Sequence, residues 1–178
     1  MWYPFTAIPR RSPNRPEPGR DGRTASLLRV PGLTLRPATL SDIPDVLAFW
    51  REAAEDAHRP VDSAPAVEAL IARDPGALIL ALDHGTVVGS VIAGWDGWRC
   101  HLYRLAVAPT HRRRGLGRAL IEAAEERFAR LGGTRADAMV LTDNELAHNA
   151  WRSCGYAAQS EWSRWVKPLP APVSEVSV

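Results

Sequence analysis

The sequence predicts an α/β (α+β) domain, a mixed and mostly antiparallel sheet with helices packed on it. Three observations predict it. Apolar runs at 77–82, 86–93 and 98–107 follow one another with only Asp83, His84, Gly85 and then Asp96, Gly97 marking turns, the signal of consecutive antiparallel strands. Two stretches of helical periodicity precede these runs and two follow them. A further apolar run at 136–141 comes after the third helical stretch, and a chain that returns to its sheet through a helix makes a parallel, βαβ-like unit.

Each element has its own reason. Residues 33–37 alternate and read as a first strand. Ser41 is placed to cap a helix whose first turn carries Asp42, and Ile43, Val46, Leu47 and Trp50 recur at helical spacing to about residue 57. A second helix begins at Ser63, keeps Val67, Leu70 and Ile71 on one face, and stops near Pro75 and Gly76. Gly89, inside the run 86–93, marks a bulge or a close approach. The helix from Leu116 carries Leu120, Ala124, Phe128 and Leu131 on one face and Glu122, Glu125, Glu126 and Arg130 toward water, and Gly132 and Gly133 end it. Residues 144–154 form a last helix closed by Gly155, and 156–166 read as a final strand.

Composition bounds the rest. A chain of 178 residues that is 46% hydrophobic is most simply one domain with a real core. That domain spans 32–167, preceded by an arm at 1–31 and followed by a flexible tail at 168–178. The arm holds six prolines, which break helices and ladders, so it reads as disordered or extended, with Trp2, Tyr3 and Phe5 able to dock on the body or a partner. It also holds six arginines against Glu17 and Asp21, while the whole chain nets +2, so the body itself is slightly acidic and nucleic acid is an unlikely partner for it. Cys100 and Cys154 show no metal-ligand spacing and need no disulfide framework, and neither has the context of a nucleophile. Reduced thiols, no apolar run long enough for a bilayer and no signal-peptide pattern together predict a cytoplasmic protein.

The stretch from Leu105 to Leu120 carries the chemistry. An apolar strand ends at Pro109, a basic loop follows, and an amphipathic helix starts at a glycine pair. The first amides of a helix lack carbonyl partners, and the helix dipole puts partial positive charge there. Gly115 and Gly117 let those amides approach phosphate oxygens closely, and Arg112, Arg113, Arg114 and Arg118 surround the same point with full charges. The pattern has neither the three glycines of a dinucleotide fingerprint nor the Gly-Lys-Ser/Thr of a P-loop. The plain alternative is a solvated basic turn.

The spacing Arg112-x-x-Gly115-x-Gly117, after Val107-Ala108-Pro109, resembles the acyl-CoA pyrophosphate loop of the GNAT superfamily of N-acetyltransferases. A second stretch, with Asn144, Ala147, Ala150, Trp151, Gly155 and Tyr156, is similar to that family's second signature. The two occur in order, separated by a helix and a strand, and the resemblance covers about residues 33–167. It implies the GNAT fold, in which two central parallel strands splay apart, here those ending near Pro109 and Thr142. It implies acetyl-CoA as donor and a primary amine of a small molecule or a protein as acceptor. Carried over residue by residue, Leu105, Ala106 and Val107 contact the pantetheine, Arg112, Arg113, Arg114, Gly115, Leu116, Gly117 and Arg118 surround the pyrophosphate, and Asn144 and Trp151 lie beside the pantetheine arm. Asn144 equally suits the cap of its own helix.

Direct transfer to an amine asks for a base, for donors to a developing oxyanion and for a proton on the departing thiolate. Many family members place a Tyr for the last task, and Trp151 stands at the matching position, where indole cannot serve as an acid. A bound water or another group then takes that part, and Trp151 is read as packing. For the base, period-two alternation puts His101, Tyr103, Leu105 and Val107 on one face, and some GNAT histone acetyltransferases carry a catalytic Glu at the position matching His101, a task neutral imidazole can perform. The alternative is a histidine merely half-exposed on a strand. Trp50, Trp95, Trp98 and Trp162 are candidate walls for the acceptor pocket, with Glu52, Glu55, Asp56 and His58 supplying charge; aromatics at such spacing are more often core. The aromatic last strand offers a route to a homodimer. The competing function is an acyl-CoA-binding regulatory module without transferase activity, which Trp151 in place of Tyr favours.

Overall fold

The computed structural model describes residues 32–54 and 60–169. In chain order it contains β1 (Leu33–Pro37), α1 (Ile43–Ala53), α2 (Ala64–Arg73), β2 (Leu78–Asp83), β3 (Thr86–Trp95), β4 (Cys100–Val107), α3 (Leu116–Arg130), β5 (Ala136–Ala138) and α4 (Glu145–Ser153), with single 3-10 turns at Leu40–Asp42 and Pro109–His111. The strands lie in sequence order, β1-β2-β3-β4-β5. The first three pairings are antiparallel; short turns at 84–85 and 96–99 demand it for β2–β3 and β3–β4, while β1 reaches β2 through α1 and α2, and β4–β5, joined through α3, is parallel.

Both faces of the sheet are covered. Leu78, Leu80, Leu82 and Ile92 pack under α1 and α2 with Val46, Phe49, Trp50, Val67 and Ile71. Ile79, Ala81, Val91, Ala93 and Leu102 pack against α3 through Leu116, Leu120, Ile121 and Phe128. Burial on both faces explains why β2 and β3 read as continuous apolar runs rather than alternating ones. Gly89 does both things expected of it: the β2–β3 register shifts beside it, and a Cβ there would stand 3.0 Å from Leu120 Cδ1, so α3 lies close on the sheet.

Several expectations are corrected. The start of α1 is organised by Thr39 and Asp42 rather than Ser41: Asp42 Oδ2 accepts from the Thr39 amide (2.7 Å) and hydroxyl (2.8 Å), and Arg36 grips the same carboxylate. That helix ends at Ala53, and its expected extension, with Glu55, Asp56 and His58, falls largely outside the described residues. The fifth strand is only three residues long, not six. No final strand forms over 156–166: Tyr156, Trp162, Trp165 and Val166 do not alternate with period two, the stretch 159–161 is polar, and Trp162 and Trp165 stay exposed. The strand invoked for a homodimer is therefore absent. The arm 1–31 and the last nine residues lie outside the described residues. Among the described residues no helix is long and apolar enough to cross a membrane.

Candidate active site

The site begins with an irregularity in β4. Ala106 pairs with Ser90 and Tyr103 with Ile92, so Arg104 and Leu105 together face the single residue Val91. That is a β-bulge, and Arg104 adopts φ +54 within it. The bulge breaks the alternation assumed from sequence. His101 and Tyr103 do share a face, their rings 5.5 Å apart. Leu105 and Val107 instead pack on the α3 side with Leu102, so the expected four-residue face is corrected to two pairs on opposite faces.

Beyond the bulge β4 has one neighbour. β3 flanks it through Gly89 and Ser90, while β5 pairs only with Cys100, His101 and Leu102 and ends at Ala138. Among the described residues no strand continues along the β5 side of Leu105, Ala106 and Val107. Extended backbone with an open side takes an extended, amide-bearing ligand as an added strand would.

The open edge runs into the basic loop. Gly115 sits at φ +82 as the N-cap of α3, a conformation that favours glycine, and the first amides of a 15-residue helix follow. Leu116 is buried and roots the turn in the core. The arginines divide. Arg112 donates from Nε to the Val107 carbonyl (3.1 Å), fastening the loop to the strand. Arg118 donates to the Ser153 carbonyl (2.7 Å) at the last turn of α4. Arg113, with φ +60, and Arg114 are exposed beside the turn. His111 braces the loop entrance between the Asp83 carboxylate (3.0 Å) and the Thr110 hydroxyl (2.9 Å).

Asn144 caps α4, its Oδ1 accepting from the Ala147 amide at 3.0 Å. Trp151 is buried against the α3-side core, edge-on to Tyr156 with centroids 4.9 Å apart. The Tyr156 hydroxyl donates to Glu125 (2.9 Å), and burial, reinforced by that carboxylate, pushes it far above the usual phenol range.

His101 has a partner that sequence reasoning missed. Its Nδ1 meets Oδ1 of Asp137, the residue beside it across the parallel β4–β5 pair. With Nδ1–H donating to the carboxylate, Nε2 carries the ring's lone pair. Both side chains are partly exposed. The signal was a lone acid in the apolar run Ala136-Asp137-Ala138. Burial pushes the Tyr103 hydroxyl up from its ordinary value, with Asp74 adding to it, so it holds its proton near neutrality. Burial likewise pushes the Cys100 thiol up, in keeping with a packed, unreactive residue. Of the candidate pocket walls, Trp50 is core and Trp95 packs against the α3-side core, while Trp98 and Trp162 are exposed.

The β4 edge left open where β5 ends runs into a glycine-capped helix start, an arrangement suited to an extended ligand that ends in an anion. Comparison with known proteins agrees: a family profile described as "Acetyltransferase (GNAT) family" matches residues 46–156. The chain belongs to this family. It is therefore an acyltransferase, and membership supports acetyl-CoA-dependent acetyl transfer in general terms. An acetyltransferase of Yersinia pestis (strain Pestoides F) is 33% identical over 119 residues, 66% of this chain and 83% of that protein. Among solved structures, Ard1 from Thermoplasma volcanium superposes with a TM-score of 0.63 at 20% identity, covering 72% of this chain and 85% of that one. YncA, a putative acetyltransferase from Salmonella typhimurium solved with its cofactor acetyl-CoA, superposes at 0.61 and 21% identity, covering 73% and 82%. At these identities the two structures speak for the fold.

Proposed function

We propose that this protein transfers the acetyl group of acetyl-CoA to a primary amine, on a small molecule or a protein, by direct attack within a ternary complex. The observation that carries the reading is the continuity of the unpaired β4 edge, Leu105 to Val107, with the Gly115-capped start of α3. The donor supplies an activated acetyl thioester. The chain's own groups do the rest. Backbone amides of Leu105–Val107 hold the pantetheine arm and donate to the thioester oxygen as negative charge develops on it. Amides from Gly115 to Gly117, with Arg113 and Arg114 beside them, hold the pyrophosphate. Nε2 of His101, its ring oriented by Asp137, takes the proton that the attacking amine must lose. The thiolate leaves with a proton from water, since Trp151 has none to give. The cytoplasm is the proposed compartment, in keeping with the free thiols of Cys100 and Cys154.

The test measures thiol release from acetyl-CoA across a broad panel of amines, beside a titration with CoA. Amine-dependent release supports the reading. Tight CoA binding with no release on any amine would instead support the regulatory module.

A further inference from the structure

Three non-glycine residues among those described have positive φ: His84 in the β2–β3 turn, Arg113 in the basic loop, and Arg104 in the middle of a strand. The first two sit where turns need that conformation. The third needs something to hold it, because a left-handed arginine inside a ladder is intrinsically unfavourable. The structure holds it at both ends. Its carbonyl accepts from Ser90 Oγ (3.1 Å), and Ser90 Oγ in turn accepts from Trp50 Nε1–H (2.8 Å). Its guanidinium lies over the Trp50 ring, 4.5 Å from the centroid, and donates from Nε to Asp62 Oδ1 at 3.1 Å. The chain of contacts closes on itself: Trp50 meets both the side chain of Arg104 and the serine that binds its backbone.

Burial makes this network specific. Ser90 is 0% exposed and is the one fully buried polar residue among those described, and Trp50 is 2% exposed. Packing alone would be served by an alanine at position 90. A hydroxyl there supplies a donor to the bulge carbonyl, which an alanine could not.

We infer that Ser90, Trp50 and Arg104 are positioning residues for acetyl transfer: they fix the β4 bulge, and the bulge sets the direction of the Leu105–Val107 amides at the reacting carbonyl. This rests on the proposed function. Ser90 itself lies under α1 and acts only through Arg104.

The test compares Ser90→Ala and Trp50→Phe with the wild type and with Ile79→Val, a core variant on the α3 side that leaves the network intact. In Ser90→Ala, kcat is expected to fall about tenfold or more while KM for acetyl-CoA stays within about threefold, because the phosphate loop still holds the carrier. Trp50→Phe follows in the same direction, and Ile79→Val leaves kcat unchanged. Amide hydrogen exchange in the free protein is read in parallel, and exchange at Leu105–Val107 should quicken about tenfold in both network variants with β2 unaffected. A Ser90→Ala protein with lowered thermal stability, unchanged kcat and unchanged exchange at Leu105–Val107 overturns the inference. Absence of turnover in the wild type on every amine counts against the proposed function, and the exchange measurement then decides the bulge question alone.

Discussion

Gly115 and Gly117 are two residues apart, yet the structure asks different things of them, and that difference tests the phosphate loop. Gly115 holds φ +82, and a Cβ there would meet nothing within 4 Å, so replacement is costly for conformation and not for space. A left-handed alanine costs about 1–2 kcal/mol. At roughly 2–4 °C per kcal/mol for a domain of this size, Gly115→Ala should melt about 2–8 °C lower. Gly117 is the second residue of α3, and its added Cβ would make an ordinary 3.8 Å contact with Val107 Cγ2. Gly117→Ala should therefore fold at least as well as the wild type, with up to about 1 kcal/mol gained from helix propensity. Under the proposed function, the methyl would nevertheless stand where a phosphate oxygen approaches the helix amides. Displacing one charge-assisted hydrogen bond, about 1.5–3 kcal/mol, corresponds to roughly 10–150-fold weaker CoA binding. Differential scanning fluorimetry gives the stability and isothermal titration with CoA the affinity. A Gly117→Ala protein that is stable and binds CoA as the wild type does would refute the assignment of these amides to the pyrophosphate.

Other perturbations have equally definite outcomes. His101→Ala should lower kcat about 100-fold or more and flatten the acid limb of the pH–rate profile, since the imidazole works in its neutral form; an unchanged profile removes it as the base. Replacing both Arg113 and Arg114 by Ala should weaken CoA binding and reduce its salt dependence, whereas Arg118→Ala, which frees the α4 carbonyl it now caps, should lower the melting temperature more than the affinity; titrations at two salt concentrations separate the two. Asp42 is held well below its ordinary value of 3.8, first by the Arg36 hydrogen bonds and opposed by burial. A depressed carboxylate stabilises the fold above its unfolded value and loses that contribution as pH falls, so Asp42→Asn should cost about 1–2 kcal/mol at pH 7 and progressively less below about pH 4, as melting curves of both proteins would register.

Much of this was legible because local chemistry and tertiary structure agreed. The β2–β3 turn needed Gly85, α3 needed Gly115 at its start, and the runs between were apolar on both faces, so element types and the glycine-started helix followed from residue identity. What was hidden depended on register. A bulge has no sequence mark when the displaced residue is an arginine, and assuming strict alternation through it put Leu105 and Val107 on the wrong face. The His101–Asp137 pair needs the β4–β5 register, which only the tertiary fold supplies. Position 144 was ambiguous because one side chain suits both a cap and a ligand. The last segment misled because aromatic content was taken for a strand although Trp162 and Trp165 lie three apart, a spacing no strand face can use.

Under the proposed function, the donor and acceptor sides of the site are built by different means. On the donor side the ligand-facing groups are backbone amides, and the side chains nearby, Arg112, Arg118, Leu116 and Asn144, are occupied in holding that backbone still. Most substitutions leave a main chain's hydrogen-bonding groups in place, so glycines and loop anchors are the positions that cannot vary freely there. On the acceptor side His101, Tyr103 and Asp137 reach out from the sheet by side chain alone. The bulge at Arg104 stands between the two. By shifting the strand one residue out of phase it turns Leu105 and Val107 toward α3 while His101 and Tyr103 keep the opposite face. A regular strand with every second residue aligned would have put all four side chains on one face.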